Sequence, residues 1–196
     1  MASTNYPKGL AKREEILTAA LQMVAERGYN RATIRELAEA SGLSKTGLLH
    51  HFGSKEELFA EILRRRDQTD EARIEQATTE GRDPKLSDLP RISSGVPGLV
   101  QLYTRFSAEA SDPEHAAHDF FRSRYDRTRE RSRAVLENFQ AEGRLPADVD
   151  TRQAATVLVA ILDGLQIQWL YDPSIDMAEG VTLFLHQLGL DTPRVG

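Results

Sequence analysis

The chain has no cysteine among its 196 residues. Disulfides and thiolate chemistry are therefore excluded, and a reducing cytoplasm is a compatible home. The opening residues, MASTNYPKGL, lack the apolar centre of a secretory signal, so none is expected. No run alternates apolar and polar residues long enough to make a strand, and no internal repeat is visible. There is no glycine-rich phosphate loop and no G-x-S-x-G elbow. His115 and His118 stand three apart beside Glu114 and Asp119, but two ligands on one helix face are more often solvated residues than a metal site. His50 and His51 are adjacent, so on a helix they diverge by about 100° and cannot chelate together. No metal, cofactor or catalytic group is expected.

What the chain does have is concentrated in residues 33–58, TIRELAEASGLSKTGLLHHFGSKEEL. Thr33 and Glu36 form a T-x-x-E capping box at the start of one helix. Ile34, Leu37 and Ala38 share a face at helical spacing. Gly42 stands where that helix must stop and the backbone must take a positive φ. Leu43 plugs the turn, and Ser44 caps a second helix whose inner face is Leu48 with Phe52. Its outer face is left to Lys45, Thr46, Gly47 and His50. Ser54-x-x-Glu57 caps a third helix burying Leu58, Phe59, Ile62 and Leu63. Two short helices about a glycine turn are the geometry of a helix-turn-helix, which lays its second helix in the major groove of DNA. A structural hairpin is the alternative. It would be expected to carry Glu and Lys outward, not Lys, Thr, Gly and two His.

The segment resembles the DNA-binding domain of the TetR family of transcriptional regulators. The matching residues are Thr33 to Ala38, Ser41-Gly42-Leu43-Ser44-Lys45, Leu48, His50-His51-Phe52 and Ser54 to Leu58; upstream, Arg13 to Leu17 and Gly28-Tyr29 resemble that family's first helix. The resemblance covers about residues 12–62. Thr46-Gly47 reverses the family's usual Gly-Thr order. Leu49 replaces a tyrosine that usually helps hold a phosphate, so that contact is not carried over.

Charge is distributed to match. The net charge is −5, but residues 1–66 hold 11 basic against 8 acidic side chains and the remainder 14 against 22. A basic head on an acidic body suits a protein that meets DNA at one end. Hydrophobic residues make up 40% and charged residues 28%, ordinary for a globular protein.

Beyond the motif the pattern is helical throughout, and the expected fold class is all-α. The division expected is a DNA-binding head over 1–54 and a helical part over 55–196, with 55–79 as a connecting helix. Helices are expected over 9–27, 98–110, 151–171 (capped by Asp150) and 175–188, ended by Gly189. A further helix is expected from Asp112-Pro113 to about Ala141, ended by Gly143. Residues 81–98, rich in Gly, Pro and Ser, read as a loop with one short turn near Leu86 to Ile92. Within AATVLVAILDGLQIQWLY, residues 154–171, the sole formal charge is Asp163. Asp163, Gln166 and Gln168 lie mid-segment and the run is short, which argues against a membrane span. A helix apolar on all sides must be covered on all sides. Val159 and Leu162 there, with Met177, Val181, Phe184, Leu185 and Leu188 on the next helix, are the expected interface of a homodimer, as the resemblance also implies. A core helix of a monomer is the other reading.

A twofold dimer sets two recognition helices one DNA turn apart, about 34–36 Å, to read a palindrome. Lys45, Thr46, Gly47 and His50 are the expected groove contacts. Thr33, Arg35, Ser44, His51 and Lys55 are the phosphate candidates. For Arg35 a surface salt bridge with Glu39 is an equal alternative. The resemblance further implies a small-molecule effector held within the C-terminal helices, of unspecified identity. Leu102, Tyr103, Phe106, Phe120, Phe121, Tyr125, Asp163, Gln166 and Trp169 are the lining candidates, each also readable as plain core. Six arginines between 122 and 133 mostly face solvent; one of them is a possible partner for Asp163 or for an anionic effector.

Overall fold

A computed structural model describes residues 6–28, 32–79 and 96–190. The described residues contain eight helices and no strand, so the all-α expectation holds. They are α1 (Tyr6–Arg27), α2 (Ile34–Ala40), α3 (Lys45–Phe52), α4 (Lys55–Thr79), α5 (Pro97–Glu109), α6 (His118–Ala141), α7 (Thr151–Tyr171) and α8 (Met177–Gln187). Of the loop expected over 81–98, residues 81–95 lie outside the described residues, and Pro97 and Gly98 already belong to α5. The helices fall into two compact units, one holding α1 to α5 up to His118 and the other α6 from Asp119 onward with α7 and α8. Helix α5 packs with α1 and α4.

The first unit is built on α1. Ile16, Leu17, Ala20, Met23 and Val24 are buried, meeting Leu37 and Ala38 of α2, Leu48 and Phe52 of α3, and Leu58, Phe59, Ile62 and Leu63 of α4 in one core. Polar groups fasten α1 at its edge. Lys12 donates to the Ser41 carbonyl at 3.2 Å, and the Arg13 guanidinium lies 4.7 Å from the centre of the Phe52 ring while pairing with Glu61 at 3.3 Å. One arginine thus joins α1 to the end of α3 and to α4. Helix α5 adds Leu99, Val100, Leu102, Tyr103 and Phe106 to the core, with Phe106 edge-on to Phe59 at 5.9 Å. Its first turn approaches α1 so closely that a Cβ on Gly98 would overlap the Val24 carbonyl oxygen and stand 2.9 Å from that of Ala25. Arg66, buried on α4, donates to the Leu99 carbonyl at 3.4 Å.

In the second unit, Leu136, Phe139, Leu145, Ala154, Ala155, Leu158, Val181, Leu185 and Leu190 form the core. Asp150 caps α7 by accepting from the Arg152 and Gln153 amides, and Asp176 caps α8 by accepting from those of Ala178 and Glu179. Helix α8 ends as expected at Gly189, where the Leu190 amide turns back to the Leu185 carbonyl at 3.1 Å.

One boundary differs from expectation. Residues 112–117 form turns and α6 begins at His118. The Asp112 carboxylate accepts from the Glu114 amide, closing a tight Asx turn, and the His115 ring nitrogen Nδ1 accepts from the Ala117 amide. The Asp112 bond is the one a helix cap makes; it is the Ala117 amide, held by the His115 ring, that a helix starting at Pro113 would have given to a backbone carbonyl.

Gly98→Ala is expected to destabilise the protein by about 1–3 kcal/mol, because backbone of α1 and not a flexible side chain blocks the added methyl; an unchanged urea midpoint would contradict that approach. A second expectation concerns acid. Burial pushes the Glu61 carboxyl up, but hydrogen bonds and charge from Arg13 and Arg64 outweigh it and hold it below its ordinary value. A depressed carboxylate stabilises the fold above its unfolded pKa, and that stabilisation is lost as pH falls through the folded value. The stability advantage of the parent over Glu61→Gln should therefore be full at neutral pH and shrink below about pH 4, measured by denaturant titration across pH.

Candidate nucleic-acid interface

The frame of the interface is two short helices whose ends are closed by their own side chains. At the start of α2 the Thr33 hydroxyl accepts from the Glu36 amide at 3.2 Å, and the Glu36 carboxylate accepts from the Thr33 amide at 3.1 Å. Both halves of the expected capping box are therefore made. At its end Gly42 has φ 66°, the Leu43 amide donates to the Ala38 carbonyl at 2.8 Å, and the Gly42 amide to that of Glu39 at 3.1 Å. This pair of bonds requires a left-handed residue between them, a conformation glycine adopts without penalty. Ser44 then caps α3 by accepting from the Gly47 amide at 3.1 Å, and Ser54 accepts from the Glu57 amide at 3.0 Å at the start of α4.

Between these fixed ends α3 has two faces. Leu48 and Phe52 are buried, while Lys45, Thr46 and His50 are exposed and Gly47 and His51 half-exposed. All nine expected DNA contacts thus lie at the surface of one unit, on α2, α3 and the first turn of α4. Their present partners differ. Arg35 donates to the Glu39 carboxylate at 3.0 Å, in solvent, and that hydrogen bond followed by the carboxylate's charge raises the arginine's pKa. Such a pair contributes little and can exchange for a phosphate. The Thr33 and Ser44 hydroxyls are engaged in the caps. Lys55 is the first residue of a 25-residue helix, and its ammonium sits 5.0 Å from the Phe59 ring centre.

The expected effector and dimer residues fare less evenly. Leu102, Tyr103 and Phe106 have at most 3% of their surface exposed and belong to the core of the first unit. Phe106 is held between Phe59 and His115, at 5.9 and 5.4 Å. Phe120 and Phe121 are buried edge-to-face at 5.0 Å. Tyr125 and Asp163 are brought together, the phenol donating to the carboxylate at 2.8 Å between α6 and α7. Gln166, one turn on, gives its Nε2 to the Leu162 carbonyl at 3.3 Å, and its Oε1 is buried with no hydrogen-bond partner. Trp169 is half-buried. Of the six arginines, Arg122, Arg129 and Arg133 pair with acids on their own helix.

Of the expected interface residues, Val159, Met177, Val181 and Leu185 are buried within their own unit. Leu162, Phe184 and Leu188 are half-buried at the core's margin. The apolar residues left outside are Val157, Ile167 and Tyr171 on α7, and Leu183 on α8. Alternation along α7 and α8 is read in the sequence as one apolar surface, whereas packing of the two helices on each other takes one side and leaves the other.

Comparison with known proteins agrees with this geometry. The sequence profile of bacterial regulatory proteins of the tetR family matches residues 16–62, and that of the C-terminal part of BetI-type transcriptional repressors matches residues 97–188. The chain is 32% identical over 158 residues to the transcriptional repressor AcnR of Corynebacterium diphtheriae, covering 78% of each protein. It is 29% identical over 174 residues to AcnR of Corynebacterium efficiens, covering 84% of this chain and 85% of that one. The crystal structure of a transcriptional regulator from Saccharomonospora viridis in complex with choline superposes with a TM-score of 0.73 at 25% identity, over 92% of this chain and 98% of that one. With a helix-turn-helix head, an all-helical body and relatives that regulate transcription and are not enzymes, the chain belongs to the TetR family of transcriptional regulators.

Proposed function

We propose that the protein is a ligand-responsive homodimeric repressor, which occupies a palindromic operator in the cytoplasm and leaves it when a small molecule binds the C-terminal helices. The observation that carries the DNA reading is the outward face of α3, with Lys45, Thr46 and His50 presented in solvent on a helix closed at both ends. Lys45 is suited to guanine O6 and N7, the Thr46 methyl to thymine, and Gly47 to close approach. Thr33, Arg35, Ser44, His51 and Lys55 are assigned to phosphates, Lys55 standing at a helix N-terminus, where the helix dipole favours an anion. The repressor names of the AcnR relatives support the direction of regulation.

The dimer reading is supported by α7. Val157, Ala160, Gly164, Ile167 and Tyr171 fall along one stripe of the helix, and Tyr171 and Leu183 keep 89% and 61% of their surface exposed. Nothing lies within 4 Å of the place a Gly164 Cβ would occupy, leaving room for a second backbone. By length and hydropathy α7 would also suit a bilayer. Asp163, Gln166 and Gln168 within it, and the packing of its other faces on α6 and α8, favour a second copy. The effector reading is supported by the choline complex of the Saccharomonospora viridis regulator and, in this chain, by the polar groups Tyr125, Asp163 and Gln166 with Trp169 on the same helix as the last two.

Selection of sites from random DNA by the purified protein should enrich a palindrome bound by an even number of subunits; failure to enrich any site would overturn the reading. Lys45→Ala should remove about 1–3 kcal/mol of discrimination at the contacted base pair. Lys55→Ala should weaken all sequences alike and lower the salt slope by about 0.9, measured by competition binding at several salt concentrations. Leu183→Glu combined with Ile167→Glu should convert the dimer to monomer in sedimentation and abolish operator binding while leaving the helical content intact.

A further inference from the structure

Within the second unit, beside the middle of α6 and the first turns of α7, lies an open cleft of about 590 Å³. Four arginines stand around it: Arg127, Arg129 and Arg133 from α6, and Arg152 from α7. Asp126 and Glu130 line it too, but each is engaged. Arg129 donates to Asp126 at 2.6 Å; Arg133 holds Glu130 at 3.4 Å and Glu137, outside the cleft, at 2.9 Å. Arg127 and Arg152 have no ion pair or side-chain hydrogen bond among the described residues. Two positive charges are thus left over at one concave place, in a part of the chain with 14 basic against 22 acidic side chains. Arg152 is also poorly placed for stability. It stands in the first turn of α7, where the helix dipole disfavours a cation. Asp150 caps that turn through the Arg152 and Gln153 amides, without pairing with the guanidinium.

We infer that this cleft is a binding site for a small organic dianion, a dicarboxylate or a phosphate monoester, held by Arg127 and Arg152. A guanidinium meets either group through paired N–H donors and keeps its charge at any working pH. Two unpartnered guanidiniums match two negative charges, whereas a monoanion would leave one of them uncompensated. The volume lies within the range of small-molecule sites, roughly 300–1,000 Å³. None of Tyr125, Asp163 and Gln166 lines the cleft, so the inference does not rest on the effector reading above.

Phthalate, phenyl phosphate and benzoate share one ring and differ in charge. Calorimetric titration of the full-length protein at about pH 8, where both charges of each dianion are developed, tests them side by side. At least one dianion should bind at one site per chain, at least about tenfold more tightly than benzoate. The tighter of the two identifies carboxylate or phosphate as the group recognised. Arg127→Gln and Arg152→Gln should each weaken that binding at least about tenfold. Arg122→Gln, which removes a charge from α6 outside the cleft, should leave it unchanged. Without ligand, Arg152→Gln should melt no lower than the parent, since it takes an unpaired cation from a helix N-terminus. The inference is overturned if neither dianion binds, if benzoate binds as tightly as the better dianion, or if either cleft variant leaves the affinity unchanged. Equal weakening by Arg122→Gln would overturn it as well, since the ions would then answer to general charge. So would a clearly lower melting temperature for Arg152→Gln, which would give that arginine a structural role instead.

Discussion

Helix α3 has eight residues. A helix of that length is not stable in water, since helices shorter than about 12–15 residues are marginal even in favourable sequences. Its existence depends on burying Leu48 and Phe52 against the core laid down by α1 and α4. Each such side chain is worth roughly 1.5–3 kcal/mol when removed from water. Everything exposed on the opposite face owes its position to these two residues. The caps at Ser44 and Gly42 then set where the helix begins and how the chain enters it. Arg13 covers the Phe52 ring and reaches Glu61, closing the same contact from outside. An aromatic side chain held from both sides is thus the anchor of the reading surface.

The head was almost wholly legible in the sequence because its signals are local. A capping box, a glycine at a left-handed position and a serine cap each act over three to five residues, and every one is made as its spacing implies. The body was legible in its helices and less so in their surroundings. Val181 and Phe184 look alike in a helical pattern, yet one is fully buried and the other half-exposed. Which side of an apolar helix faces its own subunit is decided by tertiary packing that periodicity does not encode. The start of α6 was misplaced for a related reason. Asp112-Pro113 is a sound helix start, and Asp112 does accept from the Glu114 amide as a cap would, but the His115 ring takes the Ala117 amide and the turn does not propagate. The Arg13–Phe52 contact spans 39 positions and carries no local signature at all.

The pairing of Tyr125 with Asp163 shows the intermediate case. The sequence marks Asp163 as an isolated charge in an apolar helix and so as a residue in need of company. It offers six arginines close together as the obvious suitors. Three of these are occupied along their own helix, and a neutral phenol from α6 gives the hydrogen bond that fixes the carboxylate between the helices.

The grouping of α5 with α1 and α4 has a consequence for how this molecule can be divided. The first unit is discontinuous in the chain: residues up to 79 are completed by residues 96–118. Cutting after α4 would strip Phe59 of Phe106, leave Arg66 without the Leu99 carbonyl, and uncover the end of α1 where Gly98 rests. The DNA-reading head is therefore not a cassette that can be transplanted by its contiguous sequence alone. Recombination between relatives would preserve it only by carrying the later segment along, so the two segments are bound to be inherited together.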